Sequence, residues 1–260
     1  MGHTDFSSVT EVTGYKVTKE QIQRIYNRYC FATGFCKDKK VLEVACGTGQ
    51  GLGLLARTAK KVVGGDIDKK LLEIAKAHYR DRHNIQFQRL DAHRLPFLTD
   101  SFDVVIFYEA IYYLSEPQKF ILEAHRVLKK GGVLIVCSAN KDCEGFNRSP
   151  YSYYYFSAQE LFDLFQGNGF VNIELFGDCP VEIKTTKDRI LAFLKKKAVA
   201  WHLIPKTMKG KELFKRFFYG ELLSLPPELE DGIAYYSAPV SLPVNNSQNA
   251  YKVLFGVGFK

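Results

Sequence analysis

No stretch of this sequence approaches the roughly 18 uninterrupted apolar residues that a membrane span requires. The N-terminus also lacks a basic segment followed by an apolar core and a cleavage site. Both absences lead to the expectation of a soluble, cytoplasmic protein. Cysteine is sparse and unpatterned. Cys30, Cys36, Cys46, Cys137, Cys143 and Cys179 form no C-x-x-C pair and no Cys/His cluster with zinc spacing, which argues against a disulfide framework and against any metal site. Cys46 and Cys137 fall within or at the end of β-type runs, where a free thiol acts as a small hydrophobe. Acidic residues are outnumbered, 28 against 36 basic ones, for a formal charge of +8. That imbalance favours anionic partners, whether nucleic acid, phosphorylated metabolites or an anionic membrane surface, without choosing among them. Nothing repeats internally.

What is present is a chain of 260 residues with 46% hydrophobic content, enough for one sizeable core. From residue 41 to about 177, short β-type runs alternate with longer helical patterns, the signature of βαβ units and a largely parallel sheet. The runs are 41–45, 61–66, 85–90, 102–107, 133–138 and 170–176. Asp68 can cap the helix that follows the second run. Ser115 with Gln118 has capping-box spacing around Pro117, and Gly131 and Gly132 stand where that helix is expected to stop. Upstream, Thr18 and Gln21 form another capping box, and Ile22, Ile25, Tyr26 and Tyr29 share one helical face. The tail 251–258 has β character with no helix after it, so it is expected to close the sheet as an antiparallel neighbour. The organisation expected is one domain: an N-terminal helical cap (1–40), a core (41–179), an insertion or lid (180–248) and a closing strand (249–260). Within the insertion, 195–219 is basic and amphipathic, divided by Pro205 and Gly210. His125 is expected at the surface.

The strongest local signal is VLEVACGTGQG at 41–51, an apolar strand running into Gly47, Gly49 and Gly51 before a helical run. Glycines let the backbone approach a ligand closely at a strand mouth, and the helix start offers free N–H groups. The dinucleotide fingerprint G-x-G-x-x-G fails here, because Leu52 stands where its third glycine belongs. An acid, Glu43, stands inside the strand instead. Three more segments follow: VVGGDID (62–68), RLDAHRLPF (89–97) and DSFDVVIFYEAIYYL (100–114), the last leading through a helix to RVLKKGGVLIV.

Together these segments resemble the class I S-adenosylmethionine-dependent methyltransferases, over about residues 15 to 176. The first resembles motif I, E/D-x-x-x-G-x-G-x-G. The resemblance implies an α/β, Rossmann-like fold with helices on both faces of a mostly parallel sheet, and S-adenosyl-L-methionine as cofactor. It implies that Glu43 helps hold the methionine end, that the loop carrying Ala45, Gly47, Thr48 and Gly49 passes under the cofactor, and that Asp66, with Ile67 beside it, accepts the ribose hydroxyls. It further implies that Asp91 reads the adenine amino group next to Ala92, and that Phe107 lines the site from the fourth strand. For Asp91 an Asx turn after the strand is the plain alternative. Arg28, Tyr29, Phe31 and Ala32 stand as in the R-Y-x-F-A of relatives from surface-polysaccharide gene clusters. Tyr29 either covers the cofactor or packs in the core.

One departure concerns E-x-x-E-H, where this chain reads Glu109, Ala110, Ile111, Tyr112 and Tyr113, so the family's histidine is missing. The catalytic residue stays unassigned, with Glu109, Tyr112 and Tyr113 as the candidates on this segment. The [N/D]-P-P-[Y/F/W] motif of amide and amine methylation is also missing, since Phe107, Tyr108, Glu109 and Ala110 stand there. The expected function is methyl transfer to a small-molecule or glycan acceptor at oxygen, the acceptor being anionic if the basic stretch receives it at a membrane surface. The rival readings are an RNA or protein methyltransferase, for which there is no dedicated nucleic-acid module, and a non-catalytic cofactor-binding partner protein.

Overall fold

The computed structural model describes residues 11–181, 222–244 and 248–260. In chain order these give β1 (Lys16–Val17), α1 (Lys19–Cys36), β2 (Lys40–Val44), α2 (Leu52–Ala56), β3 (Lys61–Asp66), α3 (Lys69–His78), β4 (Ile85–Arg89) and β5 (Phe102–Tyr108). They continue with α4 (Pro117–Val127), β6 (Leu128–Ala139), α5 (Ala158–Gln166), β7 (Val171–Pro180), β8 (Leu223–Ser224), β9 (Val240–Leu242) and β10 (Tyr251–Phe259).

Strand periodicity builds the core. Val104, Ile106 and Tyr108 of β5 turn to one face, where they meet α1 and α2, while Val105 and Phe107 turn to the other, against Phe120 and Ile121 of α4 and Leu161 and Phe165 of α5. Burial on both faces is why these strands read as continuous apolar runs. The sheet order is β4-β3-β2-β5-β6-β10-β7-β9. The pairs from β4 through β6 are parallel, and β10 runs antiparallel between β6 and β7. The fold is therefore the mostly parallel, Rossmann-like α/β architecture with an antiparallel C-terminal strand. That strand sits inside the sheet, with β7 and the short β9 beyond it.

Local chemistry explains the element starts. Thr18 caps α1, its Oγ1 accepting the Gln21 N–H while Gln21 accepts the Thr18 N–H, both at 3.1 Å. Asp68 caps α3 by accepting from the Lys70 N–H at 2.7 Å. The box at Ser115 and Gln118 does not form: α4 starts at Pro117 with Glu116 as its cap and no side-chain cap bond. Proline prefers the first helical position, where its missing N–H goes unused, and that shifts the frame by one residue.

Gly131 and Gly132 do not end α4 either. Leu128 already leaves the helix in an extended conformation and pairs with Phe102. Gly131, at φ +73, kinks β6 where the register shifts, and its N–H donates to the Lys260 carbonyl at 2.9 Å. His125 is half-buried rather than at the surface, its ring edge-on to Phe170, and burial pushes its pKa down. Within 180–248, β8 pairs with β1 and β9 with β7. The basic stretch 195–219 lies outside the described residues.

Candidate functional site

The chain leaves β2 toward β3 on one side and returns to β5 on the other, so strand order reverses between β2 and β5. In open α/β sheets ligands bind in the crevice outside the carboxyl ends of the strands at such a point. Here a cleft of about 410 Å³ opens there, lined by the ends of β2, β3 and β5, the loop after β4 and the N-terminal helix α1. Ala45 (φ 57) and Glu109 (φ 51), just past β2 and β5, both adopt the left-handed conformation that non-glycine residues avoid. Backbone strain of this kind concentrates at functional sites.

Glycine is needed at 51 for contact rather than for φ. A Cβ there would stand 2.1 Å from three atoms of the Tyr29 ring. That ring is held edge-on to Tyr108, and its hydroxyl donates to Glu43 Oε1 at 2.5 Å. Tyr29 is thus both buried and on the cleft wall. Gly47 is fixed by its N–H, which donates to Asp66 Oδ2 at 2.8 Å, while Asp66 Oδ1 accepts from the Asp68 N–H at 2.9 Å. Each carboxylate oxygen keeps a lone pair for a further donor. Burial pushes the Asp66 carboxyl above its ordinary range against these two bonds.

Of the residues expected at the cofactor, Tyr29, Glu43, Ala45, Gly47, Asp66, Ile67, Asp91, Ala92 and Phe107 line this one cleft. Thr48 and Gly49 do not. Thr48 Oγ1 accepts from Gln50 Nε2 and the Thr13 N–H, and the Gly49 carbonyl accepts from the Tyr79 hydroxyl, so both brace the loop from behind. At Asp91 the Asx-type turn and the cleft position coexist: Oδ1 accepts from the His93 N–H at 2.9 Å and its ring Nδ1 at 2.8 Å.

The opposite end of the cleft gathers the three catalytic candidates. The Tyr112 hydroxyl donates to Glu109 Oε2 at 2.8 Å, and Glu109 Oε1 faces Arg24 at 3.4 Å and Arg28 at 3.6 Å. Arg28, itself buried, pairs with Glu11 at 2.7 Å. Tyr112 stacks on Tyr155 with centroids 4.6 Å apart and meets Tyr113 at an angle. Glu109 thus ties the two guanidiniums to the tyrosine wall.

Among the described residues, three buried side-chain polar atoms lack a hydrogen-bond partner: Arg28 Nε, Glu43 Oε2 and His93 Nε2. All three belong to residues lining this cleft. Buried polar groups are nearly always satisfied, so three orphans converging on one cavity mark the place of a polar ligand. Burial pushes the Glu43 carboxyl up to about 8, against the opposing effects of the Tyr29 bond and the Arg28 charge. A cationic ligand group is what such a carboxyl lacks. Glu43, Asp66 and Asp91 line the cleft in the order of the strands they stand on or follow, β2, β3 and β4.

Residues 42–136 match the family described as "Methyltransferase domain". Over this span the chain is similar to S-adenosylmethionine-dependent methyltransferases. It is 32% identical over 147 residues to a Mycobacterium tuberculosis protein named "Probable S-adenosylmethionine-dependent methyltransferase", covering 55% of this chain and 52% of that one. It is 38% identical over 108 residues to a demethylmenaquinone methyltransferase of Tropheryma whipplei, covering 42% of this chain and 45% of that one. The chain thus spans about half the length of these curated relatives. A solved structure from Thermotoga maritima, titled an "SAM-dependent methyltransferase, possible histamine N-methyltransferase", shares the fold with a TM-score of 0.58 at 18% identity, over 92% of each chain.

The three orphaned atoms fit S-adenosylmethionine, the cofactor named for the Mycobacterium tuberculosis relative. The match at 42–136 leaves out α1, so Arg24, Arg28 and Tyr29 reach the cleft from outside the matched span. Sequence reasoning missed Arg24, Glu11 and His93 as cleft residues. The heptad-like face of α1 names its buried side but not which of its ends overhangs the sheet.

Proposed function

We propose that this chain transfers the methyl group of S-adenosylmethionine to an oxygen of a small-molecule or glycan acceptor. The observation that carries the reading is Glu43 Oε2, a buried carboxyl oxygen without a partner among the described residues, set on the cleft between the glycine loop and Asp66. The cofactor supplies an electrophilic methyl; the chain's part is to hold the reactants in line and exclude water. With the ribose at Asp66 and the methionine end at Glu43, the space left for an acceptor is the end walled by Glu109, Tyr112, Tyr113 and Leu114. Arg24, at the rim of that end with its side chain 31% exposed, suits an acceptor bearing an anionic group.

A second reading has support of its own. The stacked Tyr112 and Tyr155 rings suit a planar acceptor, and relatives named demethylmenaquinone methyltransferases raise the prospect of transfer to a ring carbon. Incubation of the chain with methyl-¹³C-labelled cofactor and a metabolite extract, read by mass spectrometry and carbon NMR, separates the two. An O-methyl resonance in the product is the expected result, and a C-methyl resonance would replace the oxygen assignment with the carbon one. Labelled cofactor left unconsumed across extracts and purified hydroxyl acceptors would contradict both.

A further inference from the structure

We propose that His93 is a second reader of the cofactor's adenine amino group, acting through Nε2 beside Asp91. The assignment follows from the tautomer. Burial opposes ionisation of Asp91, yet the His93 backbone N–H and ring together hold its carboxyl below the ordinary range, so it stands as an acceptor-only carboxylate. Its Oδ1 lies 2.8 Å from His93 Nδ1, so that nitrogen carries the proton. In the neutral ring Nε2 then presents a bare lone pair.

That lone pair is buried and has no partner among the described residues, while the ring lies on the cleft wall with Leu90, Asp91 and Ala92. A buried ring nitrogen left as an acceptor requires an N–H or O–H donor. The adenine amine has two N–H groups. Asp91 Oδ2, which accepts no bond among the described residues, takes one, and His93 Nε2 takes the other. The same carboxylate thereby does two things: it reads the amine directly, and through Oδ1 it fixes which ring nitrogen of His93 is free to read it.

This inference rests on the cofactor reading given above, and the test separates the two. The probes are S-adenosylhomocysteine and S-inosylhomocysteine, in which a carbonyl oxygen replaces the amine, titrated calorimetrically into the intact chain. The wild type binds the adenosyl ligand far better than the inosyl one. In His93→Phe the adenosyl affinity falls by about tenfold, the scale of one buried hydrogen bond, while the inosyl affinity hardly changes, so the preference shrinks. His93→Gln, which keeps an acceptor at the position, recovers part of the preference; its thermal melt and that of His93→Phe stay close to the wild type. An unchanged adenosyl-over-inosyl preference in His93→Phe overturns the His93 assignment alone. Failure of the wild type to bind S-adenosylhomocysteine at all overturns the cofactor reading beneath it.

Discussion

Glu43→Gln is expected to weaken S-adenosylhomocysteine binding by about 1.5–3 kcal/mol, the range for hydrogen bonds to a charged group. In the ligand-free protein the Glu43 carboxyl titrates at about 8, so through neutral pH it holds its proton. Binding of the ligand's ammonium favours the carboxylate and expels that proton. Affinity for the wild type therefore falls as pH drops below about 8, by up to about tenfold per unit until the bound-state pKa is reached. The ligand's own amine titrates alike in both proteins, so the difference between wild-type and Glu43→Gln titrations at several pH values isolates this group. Identical pH profiles would show that Glu43 does not face the ammonium. The sign for folding is opposite to that of an ordinary salt-bridged acid. The folded-state pKa is raised, so the free protein loses stability as pH rises from the ordinary 4.5 through about 8. Glu43→Gln removes that loss, and melting of the ligand-free variant should be flatter with pH than the wild type.

Gly51→Ala should destabilise the fold by about 1–3 kcal/mol and strip most of the ligand affinity with it. The added Cβ meets the Tyr29 ring at 2.1 Å, and the ring cannot swing away without losing its bond to Glu43 and its edge contact with Tyr108. A double-mutant cycle tests the cause rather than the effect. In a Tyr29→Ala background the same Gly51→Ala change should have an effect of less than about 0.5 kcal/mol, because the clashing ring is gone. Equal destabilisation in both backgrounds, measured by urea unfolding, would mean that the glycine answers a backbone requirement instead.

The strands β2, β3 and β5 were legible in the sequence because each is buried on both faces and reads as an apolar run bounded by turn residues. The glycine loop and the three acids were legible because their chemistry is local. Glu43 occupies β2, Asp66 ends β3 and Asp91 stands two residues past β4, and parallel strands bring their carboxyl ends to one edge whatever the connecting loops do. What stayed hidden depends on longer-range geometry. Gly131 and Gly132 read as a helix stop, yet the stop is set by Leu128 pairing with Phe102 across 26 residues of chain, and Gly131 serves a kink that meets the C-terminus. The strands β8 and β9 are two and three residues long, too short to carry a period. Arg24 and Glu11 enter the cleft because of how α1 and the segment before it lie across the sheet edge, and no local pattern encodes that crossing.

Thr48 and Gly49 teach the complementary lesson: both stand in the loop that defines the family pattern, yet both face inward. Their part is in the loop's geometry, since Thr48 joins Thr13 and Gln50 while Gly49 takes the Tyr79 hydroxyl. The cleft side of the loop is left to Ala45, Cys46, Gly47 and Gln50.

Calorimetric titration of S-adenosylhomocysteine into the intact chain at slightly alkaline pH, with NAD as a competitor, bears most directly on the central claim. Binding at one site in the micromolar range, undisturbed by excess NAD, is the predicted result, since Glu43 offers a carboxyl to an ammonium and Leu52 stands where a dinucleotide loop needs glycine. No heat of binding, or displacement of the ligand by NAD at comparable concentration, would contradict it.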